Sequence, residues 1–372
     1  MTDSVARLIA VLALLFVFLV GVKGLGDGFK LLGRDALDAF FAATSNPFIA
    51  LMVGVLATTL VQSSSVTTAM IVGLVAAPEN PLPIANAVPM VMGANIGTTV
   101  TNTIVSMAHM GRADEFRRAF SVATCHDFFN FIAVAVLLPL ELMTGFLRKS
   151  ATAVAGLIGD ISGATYESPL KSALQTGVKP VKELGGLLFD AERGQGIVII
   201  GVSGLLIFGA LMLLVRTLRS MMQTRVEVSL NRALGRSMVL SLLVGAIVTV
   251  MVQSSSITTS LLVPLAGAGI ITLRQAFPIT VGANLGTTIT ALLASMAVSG
   301  ENAQAGVIIA LVHLGFNLTA TLLILPFPKI RMVPILAAEK LADTAVRSRQ
   351  WAIVYVLLLF YGLPALFAVL FR

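Results

Sequence analysis

Two copies of one polar cluster, each set inside an apolar run, constrain this chain more than any other feature. Residues 58–68 read Thr-Thr-Leu-Val-Gln-Ser-Ser-Ser-Val-Thr-Thr, which puts seven hydroxyls and one amide in the middle of the apolar run 47–77. Gln253, Ser254, Ser255 and Ser256, flanked by Thr249, Thr258 and Thr259, repeat the cluster 191 residues later. Polar groups are costly where water is scarce, so a polar element that occurs twice at membrane depth marks a binding site.

Composition supplies the membrane. The 372 residues are 57% hydrophobic and 12% charged, with a mean hydropathy of +0.95, against roughly 45–50% apolar and 25% charged in soluble domains. The runs 8–22, 197–215 and 354–370 have the ~20-residue length of a spanning helix. They do not alternate apolar with polar residues, which excludes a transmembrane β-barrel. The first run lacks a small-residue cleavage site, so it reads as a retained helix rather than a signal peptide. A net charge of +7 does not imply nucleic acid, because the bases sit in short loops between spans. With Cys125 as the single cysteine, no intramolecular disulfide or cysteine metal cluster can form.

Taken in order, the chain predicts a span over 1–23, an amphipathic interfacial stretch over 24–45 and a hairpin over 46–77. The hairpin run is too long for one upright helix and is interrupted at Gln62–Ser65, so it reads as two half-helices meeting at a polar tip. Pro78, Pro81, Pro83 and Pro89 force a new start, and the two glycines of Gly93-Ala-Asn95-Ile-Gly97-Thr98-Thr99 predict a broken helix over 83–108. A span over 119–140 carries His126, Asp127 and Asn130. Residues 146–195 read as an extracytoplasmic connector. The pattern then returns over 196–327: a span, a hairpin over 237–270, a broken helix over 272–298 around Asn284, and a span over 305–326 with His313 and Asn317. Residues 328–372 complete the chain as a cytoplasmic linker and a C-terminal span. The three motifs keep their order with offsets of 191, 189 and 187 residues, the mark of an internal duplication.

Charge sets the orientation. With a cytoplasmic N-terminus and each hairpin returning to its side of entry, 15 of the 25 bases fall on the cytoplasmic side, Arg112, Arg117, Arg118 and Arg274 among them, in short loops where the positive-inside rule has force. The two repeats then enter the membrane from opposite sides. The expected fold is an all-α integral membrane protein of two inverted-topology repeats, each with a re-entrant helical hairpin and a broken transmembrane helix. Many secondary transporters build a midplane site in this way.

The clusters suit small ions. Where a half-helix begins, free backbone N–H groups and the positive dipole end attract an anion, and serine hydroxyls add donors without a fixed charge. Where the preceding half-helix ends, carbonyls with Gln, Ser, Thr and Asn oxygens form a hard shell suited to an alkali cation. The plainer reading of such residues is close helix packing with hydroxyls bonded back to carbonyls. Asn95 and Asn284 supply an amide beside the glycines. Asp127 is the one carboxylate well inside an apolar span, apart from Glu141 near the end of the same span, and its counterpart is Leu314. An intramembrane carboxylate is functional by default. His126 and His313 each precede an Asn by four residues, which predicts a structural His–Asn hydrogen bond one helical turn apart. A serine hydrolase needs a nucleophile with a partnered base, yet the chain has no Gly-x-Ser-x-Gly and its histidines lie on other segments.

The duplicated Val-Gln-Ser-Ser-Ser, the paired Gly-Ala-Asn-Ile/Leu-Gly-Thr-Thr, Phe-Arg-Arg-Ala-Phe at 116–120 and His126-Asp127-Phe-Phe-Asn130 resemble the type II sodium-dependent phosphate cotransporter family, in a bacterial-type form. The resemblance runs over about residues 5–370. It implies uptake of inorganic phosphate, mainly the divalent form, driven by sodium through alternating access. Proton-coupled or sodium-independent phosphate transport is the alternative. The resemblance implies phosphate at Ser63, Ser64, Ser65, Asn95, Ser254, Ser255, Ser256 and Asn284. It implies sodium at Gln62, Gln253, Ser254, Thr98, Thr287, Thr290, Ser121 and Asp127. Electrogenic members carry an aspartate after the motif histidine, as at Asp127, and Ala123 fits them too, whereas Ser121 matches the electroneutral form. It further implies a multi-pass protein of the cell inner membrane, and one span beyond the second repeat predicts an extracytoplasmic C-terminus. No cofactor beyond the coupling sodium ions and no nucleic-acid partner is expected, and a homodimer is left open.

Overall fold

In a computed structural model of the chain, residues 2–31, 44–78, 80–161, 169–233, 237–298 and 300–370 are described. They form helices and short connections, with no strand among the described residues. Five helical segments among them are long and apolar enough to cross a membrane: Ala113–Thr144, Glu192–Ala210, Leu273–Ser295, Ala303–Ile324 and Gln350–Phe367.

Helix α1, Thr2–Leu31, continues past the expected end of the first span at Lys23. The run of apolar residues with only isolated charges gives it no reason to stop there, and Lys23 bonds Asp27 one turn later at 2.7 Å. Arg34, Asp35 and Asp38 of the expected interfacial stretch lie outside the described residues.

Two short helices follow. Asn46 caps α2, Pro47–Val61, by accepting from Phe48 N at 2.9 Å, and Pro47 needs no N–H at the first helical position. The chain reverses at Gln62 (φ 57°), and Ser63, in an extended conformation, caps α3, Ser64–Val75. At 15 and 12 residues these helices rise only about 22 and 18 Å, less than the ~30 Å hydrocarbon core. α4, Ile84–Thr98, runs into α5, Val100–Met107. Pro89, expected at a new start, lies inside α4, and the interruption falls at Thr99 rather than at the glycines. It amounts to one tightened turn, with Thr99 N donating to Ile96 O and Asn102 N to Thr99 O.

α6, Ala113–Thr144, is a single long helix ending at Gly145, whose φ is +66°. Glu141 near its end accepts from Leu147 N at 2.6 Å and so caps α7, Phe146–Ile161. With α8, Pro169–Leu188, this makes the described part of the connector region 146–195 largely helical. Both helices are amphipathic, which explains how a stretch with many charges and glycines is ordered against apolar neighbours. α9, Glu192–Ala233, is one 42-residue helix. It lies antiparallel to α1: Gly21 faces Ile207, Gly24 faces Ser203, and Gly28 faces Ile199 and Ile200.

The second hairpin repeats the first. Ser237 caps α10, Met238–Val252; Gln253 (φ 54°) turns the chain; Ser254 caps α11, Ser255–Gly267. α12, Leu273–Ser295, opens with a Thr272/Gln275 capping box and is continuous, so the break expected within 272–298 is absent. Its Thr287 and Thr288 hydroxyls bond back to Ala283 O and Leu285 O, and the helix accommodates the polar run without opening. α13, Ala303–Ile324, and α14, Pro328–Arg347, precede a last apolar segment. That segment comprises α15, Gln350–Val356, a π-type stretch over Leu357–Gly362 and α16, Leu363–Leu370.

The glycines of the polar motifs serve close approach. A Cβ on Gly93 would collide with Leu51 O and one on Gly282 with Leu242 O, while at Gly97 and Gly286 it would lie 2.6 Å from Val55 O and Ala246 O. The pairs 51/93 and 55/97 advance together, so α2 and α4 run parallel, as do α10 and α12 through 242/282 and 246/286. The halves also interlock. α3 packs on α12 and α13, and α11 packs on α5 and α6. Arg118 fastens the latter contact, donating to Gly267 O at 2.6 Å at the C-terminal end of α11, where a cation is favoured. Its neighbour Arg117 pairs with Asp343 of α14 and holds that carboxyl below the usual carboxylate range.

Gly93→Ala and Gly282→Ala are expected to destabilise the protein by about 1–3 kcal/mol, the cost of overpacking. Gly156→Ala, whose added Cβ meets nothing within 4 Å, should leave stability equal or slightly raised. Thermal unfolding in detergent compares the three, and equal midpoints would show that the close crossings do not matter.

Candidate functional site

Each hairpin tip is built by the same four bonds. Gln62 Nε2 donates to Thr59 O at 2.7 Å and Gln253 Nε2 to Val250 O at 2.7 Å, so the amide closes the end of the incoming helix. The other end of each amide accepts a hydroxyl: Thr101 Oγ1 to Gln62 Oε1 at 2.8 Å, Thr290 Oγ1 to Gln253 Oε1 at 2.9 Å. Ser63 Oγ and Ser254 Oγ accept from Val66 N and Ile257 N, both at 3.3 Å, as N-caps of the outgoing helices. Thr67 Oγ1 and Thr258 Oγ1 donate to Ser63 O and Ser254 O, both at 3.2 Å. Ser63 and Ser254 are thus occupied as caps. Ser64, Ser65 and Ser255 are buried in the first turn of their helices. Their hydroxyls make no hydrogen bond among the described residues. Unspent donors beside free backbone N–H groups at a helix start are chemically able to hold an anion.

A second layer ties the halves together through asparagine. Asn284 Nδ2 donates to Asn130 Oδ1 at 2.8 Å, and Asn317 Nδ2 donates to Asn95 Oδ1 at 3.1 Å. Each bond joins one half of the chain to the other, at residues that are buried. Asn130 Nδ2 also donates to Asn95 O at 3.0 Å. His126 Nε2 lies 3.0 Å from Asn284 Oδ1, so His126 and Asn130 meet on Asn284 rather than on one another as expected. One turn of helix aligns both side chains toward the same neighbour instead of toward each other. In the other half Asn317 Nδ2 donates to the His313 backbone O, and neither ring nitrogen of His313 has a partner among the described residues.

A third group surrounds Asp127, which is fully buried. Its Oδ2 accepts from Tyr355 OH at 2.6 Å and from Thr103 Oγ1 at 3.4 Å, while Oδ1 has no partner among the described residues. The short helix α5 gathers these groups. Thr101 reaches the first tip and Thr103 reaches Asp127, while Asn102 Nδ2 donates to Thr259 Oγ1 at 2.8 Å on α11 and Asn102 Oδ1 accepts from Ser260 at 2.9 Å. The remaining expected site residues bond locally. Thr98 and Thr287 donate to Ala94 O and Ala283 O, and Ser121 Oγ donates to Arg118 O at 2.9 Å. Ser256 lies in the first turn of α11. The hydroxyls of Thr58 and Thr59 are buried without a partner among the described residues.

Sequence reasoning did not single out Tyr355, Asn102 or Ser260, took Thr101 only as part of the polar cluster after Gly97, and read Arg118 as a topology signal. A phenol in an apolar span needs a hydrogen-bond partner, so Tyr355 carried a signal, though not the identity of its partner.

Residues 17–158 and 205–367 match the model of the Na+/Pi-cotransporter family. The chain is 30% identical to human sodium-dependent phosphate transport protein 2B over 97% of its own length and 65% of the relative's. It is 32% identical to the rat protein 2A over 95% of its own length and 66% of the relative's. It therefore spans slightly less than two thirds of these curated relatives. No solved structure matches significantly. On a family match that covers most of its length, the chain belongs to the Na+/Pi-cotransporter family.

Proposed function

We propose that the chain is a secondary active transporter that imports inorganic phosphate, mainly as the divalent anion, together with sodium. The observation that carries this reading is the pair of matching tips, each with buried serine hydroxyls unspent at a helix start. Phosphate is held by Ser63, Ser64, Ser65, Ser254, Ser255 and Ser256, with Asn95 and Asn284 beneath. A dianion in a site with no fixed positive charge needs a countercharge, and sodium supplies it. Sodium takes the oxygens of Gln62, Gln253, Ser254, Thr98, Thr287 and Thr290, and a further ion uses Ser121 and Asp127. A carbonyl oxygen has two lone pairs, so Gln62 and Gln253 can keep their threonine bonds and still ligate a cation. The relatives' names describe sodium-dependent phosphate transport, which favours this reading over proton-coupled or sodium-independent transport.

The hairpins are re-entrant in this proposal. Helices too short to cross a bilayer, and the parallel run of α2 with α4 and of α10 with α12, support a chain that goes in, comes back and goes in again. The start of α10 and the start of α12 line one pocket, which supports a return to the side of entry. The antiparallel α1 and α9, each the first span of its half, support inverted repeats over 1–145 and 196–327. The connector 146–195 is then extracytoplasmic, the linker in 328–372 cytoplasmic, and the N-terminus cytoplasmic with the C-terminus outside. Alternating access follows when the interlocked hairpins shift as a unit, exposing the tips to each side in turn.

Ser64→Ala and Ser255→Ala should each abolish phosphate uptake in proteoliposomes while the proteins remain folded by size-exclusion chromatography; normal uptake by both would refute the site. Replacing sodium with choline should stop uptake, and unchanged uptake would favour the sodium-independent reading. Asp127→Gly should remove the voltage dependence of transport, and an unaltered current would count against Asp127 as a cation ligand.

A further inference from the structure

Away from the tips, a cavity of about 320 Å³ lies where three helix starts meet: Ser237 and Ser241 of α10, Arg274 and Gln275 of α12, and Arg331 of α14. α10 has 15 residues, which sets the cavity roughly 22 Å of helix rise from the serine tip. Among the described residues its two arginines have no anionic partner. Arg274 forms no ion pair with a described residue. Arg331 Nη1 reaches only the Met238 sulfur at 2.6 Å and Leu325 O at 3.4 Å, and neither neutralises a guanidinium. Two such groups lining one cavity suit a phosphate, which guanidinium binds bidentately. The flanks add a second property. Val239, Leu243 and Ile247 on α10 and Ile330, Val333 and Leu336 on α14 are exposed, so the cavity opens between two apolar faces of the kind that lipid chains cover.

We propose that this cavity binds a phosphate-bearing anion at the membrane surface, separate from the transport site. The phosphate belongs either to an anionic lipid headgroup, whose chains lie along the α10 and α14 faces, or to free orthophosphate. Held there, it bridges α12 to α14 through Arg274 and Arg331 and steadies the entrance of the second hairpin.

The test uses the full chain in detergent, with binding read by native mass spectrometry for phosphatidylglycerol against phosphatidylcholine, and by calorimetry for orthophosphate. Arg274→Gln is the informative variant, because Arg274 makes no bond that the fold requires among the described residues. Wild-type protein should prefer phosphatidylglycerol, and Arg274→Gln should weaken that binding about tenfold, the order lost with one charge-assisted contact. Loss confined to phosphatidylglycerol assigns the site to lipid, and loss of one orthophosphate-binding event with unchanged lipid binding assigns it to the free anion. Binding of both ligands by the folded variant as by wild type overturns the proposal. If Arg274→Gln does not fold, Arg274→Lys, which keeps the charge and gives up the bidentate geometry, decides by the same readings.

Discussion

The structure depends on how a helix can end within an apolar run of the chain. The last carbonyls of a helix need partners, and in lipid no water supplies them. Gln62 and Gln253 answer this with side chain and backbone together. A left-handed conformation costs a non-glycine residue about 1–2 kcal/mol, and glycine would take it freely. Glycine could not also return an amide to Thr59 O or Val250 O, nor accept from Thr101 or Thr290. The glutamine therefore closes one helix, turns the chain and fastens the tip to the next helix. The serines that follow are then left at a helix start with hydroxyls to spare.

The same economy governs the layer beneath. Asparagines bridge the halves in two related bonds, so the two halves of the chain meet in a polar interface. Glycines let α2 and α4, and α10 and α12, come within backbone contact, which sets the depth at which the asparagines stand. The halves differ where the chain can bear it. The His126 ring is bonded whereas the His313 ring has no partner among the described residues, and Asp127 has only Leu314 as its counterpart.

Much of this was legible in the sequence because it follows from local rules. Apolar length gives the spans, and Gln-Ser-Ser-Ser within apolar runs gives the turns between the short helices α2 and α3 and between α10 and α11. The 191, 189 and 187 residue offsets give the duplication. What could not be read was contact between distant segments. Gly93 and Gly97 suggested a helix break, yet the backbone facing them lies some 40 residues away, and only its nearness shows that they serve packing. His126 and Asn130 suggested a local pair, and Asn284, more than 150 residues on, proved to be their common partner. Reading 146–195 as a connector from its charge and glycine content left open that its described part forms two amphipathic helices, α7 and α8, whose apolar faces pack on distant segments.

The three consecutive residues of α5 carry a consequence for how this sequence can change. Successive side chains on a helix point about 100° apart, so Thr101, Asn102 and Thr103 reach three different neighbours: the first tip, α11 and Asp127. A substitution removes one of these bonds. A single inserted or deleted residue anywhere before them in α5 would rotate all three at once to the wrong neighbour. The lengths of the external turns are free to drift, as the shrinking offsets between the halves record, but the residue count between Thr99 and Thr103 is fixed by geometry.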